Sequence, residues 1–76
     1  MLQVLVVGPE RILFEGNARR VVLPGEQGVF EVAPFHRPVF SRLLSGSIFV
    51  DDSPLPIRRG VVKVERNTVT ALVDPP

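Results

Sequence analysis

The sequence predicts an all-β fold, a two-sheet β-sandwich of about ten short strands, and three observations support this prediction. Eight prolines and six glycines interrupt the 76 residues so often that a helix of average length hardly fits between them. The longest stretch without proline or glycine, residues 61–74, is half β-branched, and β-branched side chains favour pleated strands. Turn-forming residues recur about every eight to twelve residues, which is typical of small sandwiches and barrels.

Each predicted strand lies between two such turn signals. The segments predicted as strands are 2–7, 11–15, 18–23, 29–33, 39–44, 47–50, 55–59, 60–65 and 68–73. Gly16-Asn17 is expected to end the second strand, and Arg66-Asn67 is predicted to form a two-residue hairpin turn because asparagine tolerates a positive φ. Pro56 indicates an edge strand, since proline cannot donate a hydrogen bond to a neighbouring strand.

The length of the chain allows a single domain, residues 1–76. A fold of this size has a thin core, and such folds are usually reinforced by disulfides, a bound metal or a partner surface. The chain has no cysteine, which excludes disulfides, and its single histidine makes a structural zinc site implausible. We therefore expect no metal and no cofactor, and a partner protein as the source of additional stability.

The composition argues against direct insertion into a membrane and against nucleic-acid binding. No run of about 18 apolar residues occurs, so any membrane association is expected to depend on another protein. The net charge is only +1, and tyrosine and tryptophan are absent. A nucleic-acid surface needs a basic stripe, usually with stacking aromatics. The pairs Arg19-Arg20 and Arg58-Arg59 are therefore interpreted as solvated or as facing a protein partner.

No set of residues in the sequence predicts catalysis. The turn 24–28 lacks the Lys and Ser/Thr of a phosphate-binding loop, and no helix follows it. His36 has no nucleophile or orienting acid near it in sequence. Asp51 and Asp52 lie in a proline-containing turn, where aspartate is favoured for local backbone hydrogen bonds. We expect no catalytic residues, and so a chain that is not an enzyme by itself.

An ordered series of short motifs extends along the whole chain. The motifs are Pro9-Glu10-Arg11-Ile12-Leu13-Phe14-Glu15-Gly16, Val21-Val22-Leu23-Pro24-Gly25-Glu26-Gln27-Gly28-Val29-Phe30, Pro34 with His36 and Pro38, Leu43-Leu44-Ser45-Gly46, Gly60-Val61-Val62-Lys63-Val64 and Asn67-Thr68-Val69-Thr70-Ala71-Leu72-Val73-Asp74. In this order and spacing they resemble the N-terminal β-sandwich domain of the ATP synthase ε subunit, whose mitochondrial counterpart is called δ. The resemblance implies a sandwich of two five-stranded sheets.

The same resemblance implies a function, a location and partners. It implies a non-catalytic central-stalk (rotor) subunit of an F-type ATP synthase that translocates protons or sodium ions. Such a subunit is seated against the γ subunit and touches the c-subunit ring. It is expected at the cytoplasmic face of the cell membrane, as a peripheral part of the complex. The alternative from another class is a free-standing small β-barrel module that binds a ligand or nucleic acid, which would need an apolar pocket with convergent polar groups or a basic face.

One predicted contact site is the turn after the third strand. By resemblance, Gly25, Glu26, Gln27, Gly28 and Val29 are expected to face the c ring. Glycines permit a positive φ and a close approach of another chain. The competing interpretation is a plain solvated hairpin, because such turns are common.

The second predicted contact site is the segment Phe35, His36 and Arg37, expected to face γ. Aromatic and charged groups at strand ends often serve interfaces, and the alternative is a buried structural histidine. The chain departs from the family here, because members usually have Pro-Gly-His-Ala-Pro at this position. Glu31 also stands where a glycine is common. The C-terminal helical hairpin of longer members is expected to be absent from a chain that ends at Pro76, so its inhibitory and ATP-binding roles are not carried over.

Overall fold

Nine β-strands and no helix form the structure, a computed structural model that describes all residues from Met1 to Pro76. The strands are β1 Leu2–Val7, β2 Ile12–Ala18, β3 Val21–Gly25, β4 Gly28–Val32, β5 Val39–Leu43, β6 Gly46–Val50, β7 Ser53–Ile57, β8 Arg59–Glu65 and β9 Thr68–Asp74. None of the elements is a helix with the length and apolarity needed to cross a membrane. The predicted all-β class is confirmed.

Hydrogen bonds join eight strands in the order β2-β1-β9-β8-β5-β3-β6-β7. The ninth strand, β4, lies off this path and pairs with β3. Only β1 and β9 are parallel, and the other pairs are antiparallel. We call β2-β1-β9-β8-β5 the first half and β4-β3-β6-β7 the second half. The two separate five-stranded sheets that were predicted are not confirmed, because nine strands form one continuous sheet.

The link between the two halves is short. Gly25 of β3 pairs with Leu43 of β5 at a single register position. Two backbone hydrogen bonds flank this pair, from the Leu44 N–H to the Pro24 carbonyl at 2.8 Å and from the Glu26 N–H to the Arg42 carbonyl at 3.0 Å. Without these few contacts, the two halves would be two separate sheets.

A single core lies between the halves. It contains 16 buried residues, all of them apolar, from both halves of the sheet. Buried and exposed positions alternate, as along β1, where Leu2, Val4 and Val6 point inward. Each such side chain contributes about 1.5–3 kcal/mol when removed from water. No polar side-chain atom is buried without a hydrogen-bond partner, so the core carries no unsatisfied group.

Local turn chemistry predicted the last hairpin correctly, but not the second strand. Arg66 and Asn67 have φ of 51° and 60° and form the expected two-residue turn between β8 and β9. β2 does not stop at 16–17, because Gly16 and Asn17 pair with β1, and the strand continues to Ala18. The predicted third strand, 18–23, therefore begins later, at 21, and β2 is longer than a local reading indicates.

The turn between β2 and β3 is held by a residue far away in sequence. The Asp51 carboxylate accepts hydrogen bonds from the backbone N–H groups of Arg19 and Arg20, at 2.9 and 3.2 Å. The Asp51 N–H donates in return to the Arg20 carbonyl at 3.0 Å. Arg20 also forms an exposed ion pair with Asp52, at 3.1 Å. Both aspartates therefore connect two turns, which accounts for them without any catalytic role.

Edge positions follow the prolines as expected. β7, which contains Pro54 and Pro56, is the last strand in the sheet order and has a neighbour on one side only. At the opposite edge, β2 carries a bulge where its pairing with β1 shifts after Val6. Bulges and prolines both discourage the addition of a further strand.

Candidate interaction surfaces

The predicted turn after the third strand is a tight hairpin tip. Glu26 and Gln27 form the turn itself, and the flanking glycines close the β3–β4 ladder as a pair. Gly28 has a φ of +127°, a conformation that side-chain-bearing residues rarely adopt. Val29 is 73% exposed. We call residues 25–29 the tip.

The tip is tied to the rest of the sheet. A Cβ at Gly25 would lie 2.7 Å from the Phe30 ring, so the ring covers this glycine directly. The Glu26 carboxylate lies 3.8 Å from the Arg42 guanidinium, in addition to the backbone bond that links these two residues. The tip is therefore a fixed projection with an exposed polar end. Of the five residues predicted to face a partner here, Gly25 is buried and the other four are exposed.

The segment between β4 and β5 presents an aromatic ring to solvent. Phe35 is 90% exposed and has a φ of 68°, which explains why a glycine suits this position. Its backbone N–H donates to the Asn67 side-chain oxygen at 2.6 Å. The His36 N–H donates to the Ala33 carbonyl at 3.1 Å. The first bond ties the loop 33–38 to the β8–β9 turn, and the second closes a turn within the loop.

His36 is half-buried rather than buried, and its neighbour Arg37 is exposed. The His36 Nδ1 lies 2.6 Å from the Arg37 carbonyl, so it carries a proton and donates to that oxygen. No acid or hydroxyl side chain accompanies this bond. The imidazole therefore holds the shape of its own loop, and the orientation of this loop toward a partner stays a prediction.

Residues of both predicted sites line one groove. A concavity of about 550 Å³ lies between the tip and the loop 33–38, and its lining includes Glu26, Val29, His36 and Arg37. Phe35 lies outside it. Sequence reasoning treated the two sites, 25–29 and 35–37, as separate, since five residues lie between them along the chain. It also missed Phe40, which lines the groove and is 76% exposed.

The outer face of the first half carries an apolar strip. The register places Ile12, Val7, Leu72 and Val61 side by side on β2, β1, β9 and β8. On β5, Phe40 lies two residues from Arg42, the partner of Val61. Leu72 and Ile12 are each 54% exposed. We call these five residues the outer strip. Contiguous exposed apolar surface is uncommon on monomers and marks interaction sites.

The outer strip borders a second concavity on one side and polar residues on the other. The concavity, about 640 Å³, is lined by Leu72 and Val61 together with Leu44 and the Arg59–Asp74 ion pair, whose side chains are 2.8 Å apart. Toward the β8–β9 turn, the same outer face becomes polar. The outer strip gave only a weak signal in the sequence, because Leu72 stands where the alternation of β9 would place a polar residue.

No cluster of three or more His, Cys, Asp or Glu side chains is close enough to hold a metal ion. The groove, the tip and the outer strip offer shape, apolar area and a few charges. On an all-β scaffold, these are features suited to contact with other proteins.

Comparison with known proteins identifies the family. Residues 1–75 match the family described as ATP synthase, Delta/Epsilon chain, beta-sandwich domain, and the chain belongs to this family. It is 35% identical to an ATP synthase epsilon chain of Bordetella parapertussis, over 96% of this chain and 56% of that one. It is 32% identical to the one of Leptospira borgpetersenii, over 96% of this chain and 61% of that protein. The chain thus spans a little more than half the length of these relatives.

A solved structure has the same fold. A chain in the central stalk and c-ring of the Tetrahymena thermophila mitochondrial ATP synthase matches with a TM-score of 0.78 and 16% identity. The match covers 96% of this chain and 63% of the other. At that identity the likeness concerns the fold alone.

Proposed function

We propose that the chain is a non-catalytic central-stalk subunit of an F-type ATP synthase, linking the γ subunit to the c-subunit ring. The observation that carries the proposal is a continuous contact surface on a domain of this family. The outer strip reaches the shared groove through Phe40, and the tip forms the other wall of that groove. The free-standing β-barrel alternative is not favoured, because the chain matches the family over almost its whole length.

The γ subunit is the proposed partner of the outer strip and the loop 33–38. Permanent interfaces are wide and have an apolar core with charged groups at the rim. The outer strip provides the apolar part. Arg42 lies beside Val61 on the neighbouring strand, and Arg37 lines the groove together with Phe40. A close-packed core deforms little, so a domain held along a whole sheet face is suited to transmitting torque.

The c ring is the proposed partner of the tip. The tip is small, polar and held by β3, β4 and β5, which suits a localised contact with a polar loop. Contact through the tip would place the domain at the surface of the membrane-embedded ring, at the cytoplasmic face, without insertion of its own. No catalytic activity and no nucleotide binding are proposed for the chain itself.

Cross-linking tests the assignment of the tip. The chain has no cysteine, so each introduced cysteine is unique. Cysteines at Glu26, Gln27, Gly28 and Val29 are expected to cross-link to a cysteine in the polar loop of the c subunit in the assembled enzyme. A cysteine at Ser53, an exposed position in the remote β7 edge strand, serves as the control. Cross-linking at Ser53 but at none of the tip positions would show that another part of the domain meets the ring.

Reversing the charge of the tip is expected to affect coupling without unfolding the domain. Glu26→Arg removes an exposed ion pair with Arg42, and such pairs contribute about 0–1 kcal/mol. The free energy of unfolding should therefore change by less than about 1 kcal/mol. ATP synthesis driven by ion flow should fall, because a polar contact with the ring is replaced by one of opposite charge. Gln27→Glu is the milder comparison, and unchanged coupling in Glu26→Arg would remove the tip from the contact.

A further inference from the structure

We infer that Phe35 is a pre-organised anchor that inserts into an apolar pocket, flanked by carboxylates, on the protein partner of this face. The inference rests on the proposed function for the identity of that partner, the γ subunit. It concerns the position at which this chain departs from the glycine usual in its family.

The backbone conformation of Phe35 is unfavourable for the residue that occupies it. Four non-glycine residues have positive φ. Asp51, Arg66 and Asn67 lie in two-residue turns between paired strands, and Phe35 lies in the turn 34–35 of the loop 33–38. Aspartate and asparagine tolerate this region because their short side chains can hydrogen-bond locally. A phenylalanine has no such compensation, and it is a rare occupant of left-handed backbone.

The Phe35 ring adds almost nothing to the stability of the isolated domain. At 90% exposure it packs against almost no neighbour, and it is the most exposed large apolar residue of the chain. A glycine would relieve the backbone and remove the exposed apolar ring. A strained residue with an exposed side chain therefore points to a requirement outside the isolated domain.

The loop holds the backbone that carries the ring in a fixed position. The Phe35 N–H bond to the Asn67 side chain, at 2.6 Å, ties it to the β8–β9 turn. The Asn67 carbonyl accepts in turn from the Gln3 N–H of β1, at 2.8 Å. Pro34 and Pro38 further restrict the loop at both ends. Because little backbone freedom remains to be lost, binding through this ring is entropically inexpensive.

The surrounding charge indicates the chemistry of the partner. Arg37 follows the ring in the loop, and Arg66 adjoins the asparagine that holds it. The ion pairs of the structure involve Arg20, Arg42, Arg59 and Lys63, so neither Arg37 nor Arg66 is paired within the chain. Two guanidinium groups without an ion-pair partner, carried by the loop of the ring and by the turn that holds this loop, complement an apolar pocket with carboxylates at its rim.

Substitution at Phe35 separates a binding role from a structural one. Phe35→Gly is expected to raise the melting temperature of the 76-residue chain by about 4–8 °C, since it relieves the backbone. The same variant should bind purified, immobilised γ subunit at least about tenfold more weakly. Phe35→Ala should lose affinity similarly without the rise in melting temperature, because alanine keeps the strain. Phe49→Ala, at an exposed aromatic on β6, should bind like the unmodified chain.

The possible results decide between distinct conclusions. Unchanged affinity in both Phe35 variants, with normal binding by the unmodified chain, overturns the anchor and leaves the proposed function standing. A clearly lower melting temperature in Phe35→Ala shows that the ring stabilises the domain, which also overturns the anchor. If the unmodified chain does not bind γ, the proposed function fails and the anchor fails with it. Unaltered affinity of Arg66→Glu for γ contradicts the carboxylates at the rim of the pocket. If the unmodified chain self-associates and Phe35→Gly does not, the ring binds a second copy of this chain instead of γ.

Discussion

Gly60→Ala is expected to lower the melting temperature of the domain by about 12–24 °C, which corresponds to about 3 kcal/mol of stability. Gly60 lies in β8, opposite Val73 of β9. A Cβ there would be 2.5 Å from the Leu72 carbonyl oxygen and 2.7 Å from a Val73 methyl carbon. The nearest atom belongs to the backbone of the adjacent strand, so it cannot turn aside as a side chain can. β8 and β9 would therefore have to separate at this end of their pairing. Thermal unfolding followed by circular dichroism measures the effect.

Gly8→Ala is the matched control. A Cβ at Gly8 would meet its nearest neighbour, the Leu13 side chain, at 3.4 Å, which is ordinary van der Waals contact. This substitution should be neutral or stabilise the domain by up to about 1 kcal/mol, since alanine restricts the unfolded chain. If both variants melt within about 3 °C of the unmodified chain, the strands at Gly60 are more adaptable than the structure indicates.

Leu72→Glu is expected to weaken binding to γ at least about 30-fold, or by about 2 kcal/mol, with little change in the stability of the domain. Leu72 lies at the centre of the outer strip, between Val7 and Val61 on the neighbouring strands. An unpaired carboxylate buried in an apolar interface loses its hydration without compensation. In the free domain the side chain is 54% exposed, so the glutamate remains hydrated and the fold should persist. Affinity for immobilised γ and thermal unfolding together measure both parts.

Phe49→Glu is the comparison for this prediction. Phe49 is also a partly exposed apolar residue on an outer face, but it lies on β6 in the second half of the sheet. The Phe49→Glu variant should bind γ with an affinity within about twofold of that of the unmodified chain. If Phe49→Glu abolishes binding and Leu72→Glu does not, γ covers the second half, and the outer strip has another role.

The surfaces were only partly predictable from sequence. The hairpin at the tip was predicted because its glycines and polar residues are local signals, and the loop 33–38 was singled out through the family motif. The partner that each one faces stays a prediction. Phe40 and Leu72 were missed, because an apolar residue on the polar phase of a strand carries no information until its neighbours are known. The register across β5, β8 and β9 brings them onto one face. The strain at Phe35 was signalled only by the glycine that the family usually has there.

Local chemistry by itself determined the all-β class, the β8–β9 turn at Arg66-Asn67 and the edge position of the strand with Pro56, because turn and proline preferences depend on a few adjacent atoms. Only the tertiary structure decided that β2 continues to Ala18, since its partner on β1 is supplied by another part of the chain. It also decided that one pair, Gly25 with Leu43, joins the halves into a single sheet. Strand pairing depends on distant residues that compete for the same backbone groups, and no local pattern records the outcome of that competition.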